Sequence, residues 1–164
     1  MRKGDLLVLM TVVAALIFGA IGYFVSPKGQ SGQAMVYSPD VKAVQDYRNK
    51  AIKWIDEIKL TGGKIPTLLK SNNSSIYEKT QQAQQIFSDL YTLNQEIGNS
   101  TAPIAFQELK TELLNTTEAY LQAAQGSLQW VNESSDENLQ KTNDLLATAQ
   151  SSLTELEQSQ WINQ

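Results

Sequence analysis

Glu108, Glu112 and Glu118 lie on one predicted helix, and Asp136, Glu137 and Asp144 follow a short way along the chain. Carboxylate oxygens are what a hard cation such as Ca2+ takes as ligands. These acids do not have the spacing of a calcium-binding loop, and they are read as a solvated acidic face. Other chemistry is closed off by composition, because the chain has no His and no Cys. Di-metal carboxylate bundles need Glu-x-x-His on two helices, and haem bundles need an axial ligand of the same kind. Cys- or His-based nucleophilic and acid–base catalysis is equally impossible. A Ser–Lys pair remains, yet the serines fall in caps and polar faces without a Gly-rich elbow. No phosphate-binding glycine loop follows a strand. The expectation is a protein that is not an enzyme, with no cofactor, no metal and no nucleic-acid partner.

Binding is the chemistry left. Trp54 sits on the apolar stripe of its helix and is assigned to the core. Trp130 lies beside Val131 but off the stripe, and Trp161 lies at a helix end. Both are candidate partner contacts, because an exposed tryptophan at a bundle tip is a common anchor. The simpler account is that each caps one end of the core. Charge offers a second candidate surface. Residues 26–80 carry nine Lys/Arg against five Asp/Glu, whereas residues 81–164 carry two against eleven. Lys50, Lys53 and Lys59 are therefore candidate contacts for anionic headgroups or an anionic wall polymer. Their dispersal favours the alternative, in which the basic and acidic halves attract each other. Asn-x-Ser/Thr occurs at Asn72, Asn73, Asn99, Asn115 and Asn132, and matters only where the host glycosylates exported proteins.

Helices must position all of these groups. Ser38-Pro39 reads as an N-cap followed by proline at the first helical position. Val41, Val44, Tyr47, Ala51, Trp54, Ile55 and Ile58 then recur at helical spacing, and Thr61-Gly62-Gly63 is expected to end the helix as a glycine C-cap. Residues 64–74 form a connection in which Pro66-Thr67-Leu68-Leu69 could make one helical turn. Ser75-Ile76-Tyr77-Glu78 is a capping box. It opens a stripe of Ile76, Ala83, Ile86, Phe87, Leu90, Leu93 and Ile97, with Gly98 expected as the stop.

Pro103 opens a third helix, along which Phe106, Leu109, Leu113, Thr117, Tyr120, Ala124, Leu128 and Val131 keep the period. Ser134-Ser135-Asp136-Glu137 is read as a second capping box, with an extra acid at the positive end of the helix dipole. Leu139, Leu145, Leu146, Ala149, Leu153 and Leu156 line a fourth helix running to about Trp161. No segment alternates as a strand would. The fold class is all-α, a four-helix up-down-up-down bundle built of two αα-hairpins over residues 39–164.

Residues 6–25, LLVLMTVVAALIFGAIGYFV, contain no charge. As a helix, such a run spans ~30 Å, the thickness of a bilayer's hydrocarbon core. Leu6 to Val25 is read as a single transmembrane helix after a short cytoplasmic N-terminus of residues 1–5, with a polar linker over residues 26–38. Arg2 and Lys3 before the span outweigh Lys28 after it, which puts the N-terminus in the cytoplasm and the bulk of the chain outside. The run is longer than the apolar part of a signal peptide, so an uncleaved anchor is expected. Thr11, Ala15 and Gly19 line one face with small side chains, a geometry that permits self-association.

Arg2-Lys3-Gly4-Asp5 before the run resembles the processing site of archaeal pilin-type precursors, over those four residues. Ser26-Pro27-Lys28-Gly29 stops the helix where a pilin would continue it. Phe106-Gln107-Glu108-Leu109, followed by Glu112-Leu113, resembles a short motif of the LemA family, whose members are also single-span anchored helical proteins. Trp54-Ile55-Asp56 and Ile65-Pro66-Thr67-Leu68 are loosely similar to it as well. The spacing between these last two fragments departs from that family, and its long second helix is much shorter here, so no residue role is carried over.

The expected function is a membrane-anchored, extracytoplasmic helical-bundle protein at the cell envelope. It would act as a non-enzymatic interaction or structural module with a protein partner. The alternative is a ligand-binding or sensor-type bundle. Because five residues before the span leave nothing to receive a signal, that bundle would work through a partner membrane protein.

Overall fold

Gly62 and Gly63 do not end a helix in the way their spacing predicts. In the computed structural model, which describes residues 39–71 and 74–161, α1 (Pro39–Gly62) runs through Gly62 itself. Gly63 keeps a right-handed helical backbone, with φ −63° and ψ −14°, and its N–H still donates to the Lys59 carbonyl at 2.9 Å. A two-turn helix, α2 (Lys64–Lys70), follows at once. The break has a specific cause. Pro66 has no N–H to give to the carbonyl four residues back, and its ring crowds that carbonyl. The connection, in which one helical turn at residues 66–69 was expected, is thus a kinked helical continuation of α1 over Lys64–Lys70. It buries Ile65 and Leu68 against α3 (Ile76–Asn99) and α4 (Gln107–Asn132).

Gly62 is retained for packing, since a Cβ there would collide with the ring of Tyr120 on α4. Gly98 likewise lies inside α3, which ends one residue later with Ser100 as its cap. No described glycine has a left-handed backbone. A glycine in a sequence signals either a positive φ or a close approach, and at Gly62 the close approach applies.

A short 3-10 turn (Ile104–Phe106) leads into α4, and α5 (Asp136–Glu157) completes the bundle. Helix direction follows from matched pairs. Lys50 meets Glu96 while Lys64 meets Asp89, so α1–α2 and α3 run antiparallel. Lys110 reaches the Gly98 carbonyl while Lys79 lies over Trp130, so α3 and α4 are antiparallel. A Cβ at Gly126 would meet Thr142, while Thr116 reaches Ser152, so α4 and α5 are antiparallel too. The architecture is an all-helical, up-down-up-down four-helix bundle, and among the described residues there is no strand.

The core is one cluster drawn from every long helix, including Ala51, Trp54, Ile58, Leu90, Ile97, Leu109, Leu113, Ala149 and Leu156. Val131 and Leu139 lie outside that cluster, and two further expected core residues are exposed. Val41 is exposed because the bundle closes at the level of Tyr47, whose ring meets Phe106 at 5.8 Å. Ile76 is 72% exposed because it occupies the first turn of α3, beyond the buried part of the stripe.

Both predicted capping boxes mark helix starts, with one shift of register. At α3, Glu78 N–H donates to Ser75 Oγ at 3.2 Å and Ser75 N–H donates to Glu78 Oε2 at 2.8 Å, a complete capping box. At α5 the cap is Ser135 rather than Ser134, accepting from Asn138 N–H at 3.1 Å. Residue Glu137 is therefore one place too early to close a box. Two of the buried hydroxyls are satisfied within their own helices. Thr117 donates to the Leu113 carbonyl and Thr142 to the Asn138 carbonyl, each at 2.7 Å. The linker, the span at residues 6–25 and its small-residue face lie outside the described residues, as do Asn72 and Asn73.

Candidate functional site

The break between α1 and α2 does more than turn the chain. It opens a groove of about 670 Å3 against α3, lined by Lys59, Leu60, Gly63, Lys64, Thr67, Leu68, Gln82, Gln85 and Ile86. Its volume falls within the ~300–1,000 Å3 typical of small-ligand sites. Leu68 and Ile86 belong to the buried core and form the floor, whereas Leu60 stands 70% exposed at the lip. Gly63 contributes no side chain, and a Cβ there would press on the Lys59 carbonyl at 2.9 Å. Periodicity could not reveal this groove, because it depends on how the kink sits over α3. Its only sequence signal is the Gly-Gly-x-x-Pro run from Gly62 to Pro66.

Two ammonium groups border it. Lys59 Nζ lies 2.7 Å from Glu157 Oε1 on α5, and that carboxylate holds the lysine proton more tightly than usual. Lys64 Nζ lies 3.9 Å from Asp89 Oδ2 on α3. Neither acid lines the groove.

Of the three lysines singled out by the sequence, Lys50 and Lys53 line one recess, whereas Lys59 lies outside it. Lys50 faces α3, with Nζ 3.4 Å from Glu96 Oε1 and 4.9 Å from the centre of the Trp54 ring. Lys53 lines a recess with Asp46, Trp54, Glu57 and Glu96. Lys59 points the other way, to α5. The pairs Lys50–Glu96, Lys59–Glu157 and Lys64–Asp89 each join the basic first half of the chain to the acidic second half.

Trp54 is buried as expected and donates its indole N–H to Glu96 Oε1 at 3.1 Å. Trp130 and Trp161 sit at opposite ends of the bundle. Trp161 packs on Phe106 at 5.8 Å, past the end of α5, where the fourth helix had been expected to continue. Trp130 is half-buried with the Lys79 ammonium 5.2 Å over its ring. At that same end Tyr77 is exposed.

Acidic side chains do not converge either. Glu108 and Glu112 lie in the first turns of α4, and Asp136 and Glu137 open α5 beyond the opposite end of α4. Among the described residues no group of His, Cys, Asp or Glu could hold a metal ion. Glu112 is nevertheless unusual. Its Oε2 is buried without a hydrogen-bond partner, and burial, aided by the charge of Glu108, pushes its pKa up. Among the sequons, Asn115 lies within α4, and Thr117 two residues on is fully buried with its hydroxyl engaged.

No protein-family model, curated protein or solved structure matches this chain. Its short likeness to the LemA family is carried no further, and the functional argument rests on the chain's own residues.

Proposed function

We propose that this chain is a single-pass membrane protein whose helical bundle is displayed on the extracytoplasmic side. There it serves as a non-enzymatic interaction or structural module of the cell envelope. The observation that carries the proposal is the uncharged run at residues 6–25, long enough as a helix to cross ~30 Å of hydrocarbon. No helix among the described residues is long and apolar enough to cross a membrane, so residues 6–25 are the natural anchor. A chain without His or Cys has few ways to perform acid–base or nucleophilic work, which supports the non-enzymatic reading. Exposed Tyr77 and half-buried Trp130, at one end of the bundle, are the aromatic groups that would anchor a protein partner.

Alkaline carbonate extraction tests the anchor. The full chain should stay in the membrane pellet, and a soluble form beginning near Tyr23 would show that the run is a cleaved leader. Protease added to intact cells should remove the bundle, while complete protection would invert the topology. A photoreactive residue at position 77 should capture a defined envelope protein. A second reading, a ligand-binding bundle working through a partner, is favoured by the groove at the α1–α2 break.

A further inference from the structure

We propose that the groove at the α1–α2 break binds an anionic amphiphile, an aliphatic chain of medium length with one carboxylate or phosphate head. The groove combines an apolar wall and floor from Leu60, Leu68 and Ile86 with the ammonium groups of Lys59 and Lys64. Among the described residues no carboxylate lines it. Each ammonium has three N–H donors, so one acidic partner apiece does not exhaust them. The 3.9 Å separation of Lys64 from Asp89 is at the long limit for an ion pair, and a head group in the groove could take a shorter, charge-assisted bond. Leu60 is exposed although it has the groove's apolar floor beside it, so an aliphatic chain laid there would remove apolar surface from water on both sides.

The surroundings select against a longer acidic ligand. Along the α1–α3 seam the next recess is lined by Glu57, Asp89 and Glu96 together with Leu60 and Lys64. Beyond that come three acids, Asp46, Glu57 and Glu96, against Lys50 and Lys53. An acidic peptide continuing down the seam would meet like charge, whereas a compact anion stays beside Lys59 and Lys64. A cationic amphiphile would find the apolar wall but the wrong sign at its head.

The absence of cysteine makes the test direct. Gln85→Cys in the full chain, carrying a trifluoromethyl thiol label and held in nanodiscs of zwitterionic lipid, places a fluorine probe in the groove. Gln129→Cys, on the exposed face of α4, is the control. Decanoate, decyl phosphate or both should give a saturable 19F shift at position 85, and whichever acts names the head group. Decyltrimethylammonium should give none, and position 129 should stay silent. Lys64→Glu should weaken the response by about tenfold, the scale of one lost charge-assisted hydrogen bond, while Lys64→Arg retains it. Thr67→Trp, which fills the groove, should abolish it, with circular dichroism confirming that all three variants are folded. An equal response to the cation, an equal response at position 129, or no response to either anion would overturn the assignment. This inference stands on the bundle alone. Failure of carbonate extraction would leave it intact, and failure of the titration would leave the anchoring untouched.

Discussion

Gly62→Ala sets two effects of opposite sign against each other. In a helix, alanine is favoured over glycine by about 0.5–1 kcal/mol, because glycine loses more backbone freedom on folding. Against this, a Cβ at position 62 would lie on Tyr120 Cε1 and 2.9 Å from Cζ. Tyr120 is buried in the core, so its ring cannot swing away as the tip of a surface side chain could. Forcing extra atoms into a packed site costs about 1–3 kcal/mol, so packing should win and Gly62→Ala should destabilise by about 1–2 kcal/mol. For a chain of this size that lowers Tm by roughly 2–8 °C. Thermal and urea unfolding followed by far-UV circular dichroism will measure it. A left-handed glycine cap would also make alanine costly, so the single variant does not separate the causes. The discriminating measurement repeats Gly62→Ala in a Tyr120→Leu background. If the ring is responsible, the penalty vanishes there. If it persists at full size, the backbone conformation is at fault and the close-approach argument is wrong.

Leu113→Ala should cost about 2–5 kcal/mol in chemical denaturation, since Leu113 is fully buried between helices; a loss under about half a kcal/mol would contradict its place in the core. Ser75→Ala should cost about 0.5–2 kcal/mol by removing the cap of α3. Its partner Glu78 has a pKa lowered below 4.5 by hydrogen bonds from the Ser75 backbone N–H and hydroxyl, so its contribution is complete above 4.5 and is lost as pH falls through the lowered value. Glu78→Ala should therefore be destabilised at neutral pH and converge on the parent in acid, and a pH-independent difference would refute the linkage. Glu112 has the opposite sign: its pKa is raised above 4.5, so its charged form disfavours the fold at neutral pH and the penalty fades as acid protonates it. Glu112→Gln should accordingly raise Tm at neutral pH and have little effect well below 4.5.

Local chemistry in the sequence was enough to specify the long helices. A stripe such as Ala83, Ile86, Leu90, Leu93 and Ile97 can bury itself in only one way, and all five are buried. The Ser75–Glu78 capping box is legible because both partners lie within one helical turn. The absence of His and Cys is equally independent of folding. What tertiary structure decided was everything that depends on residues distant in sequence. Gly62 and Gly98 look like caps in isolation, and only the approach of Tyr120 explains Gly62. Lys50 and Lys59 lie nine residues apart, on opposite faces of one helix, and only the fold shows that they meet Glu96 and Glu157 on different helices. The groove at the α1–α2 break needs a proline kink, a missing side chain and the face of α3 together. Periodicity reports which side of a helix is apolar, but the space between two helices is set by the pair.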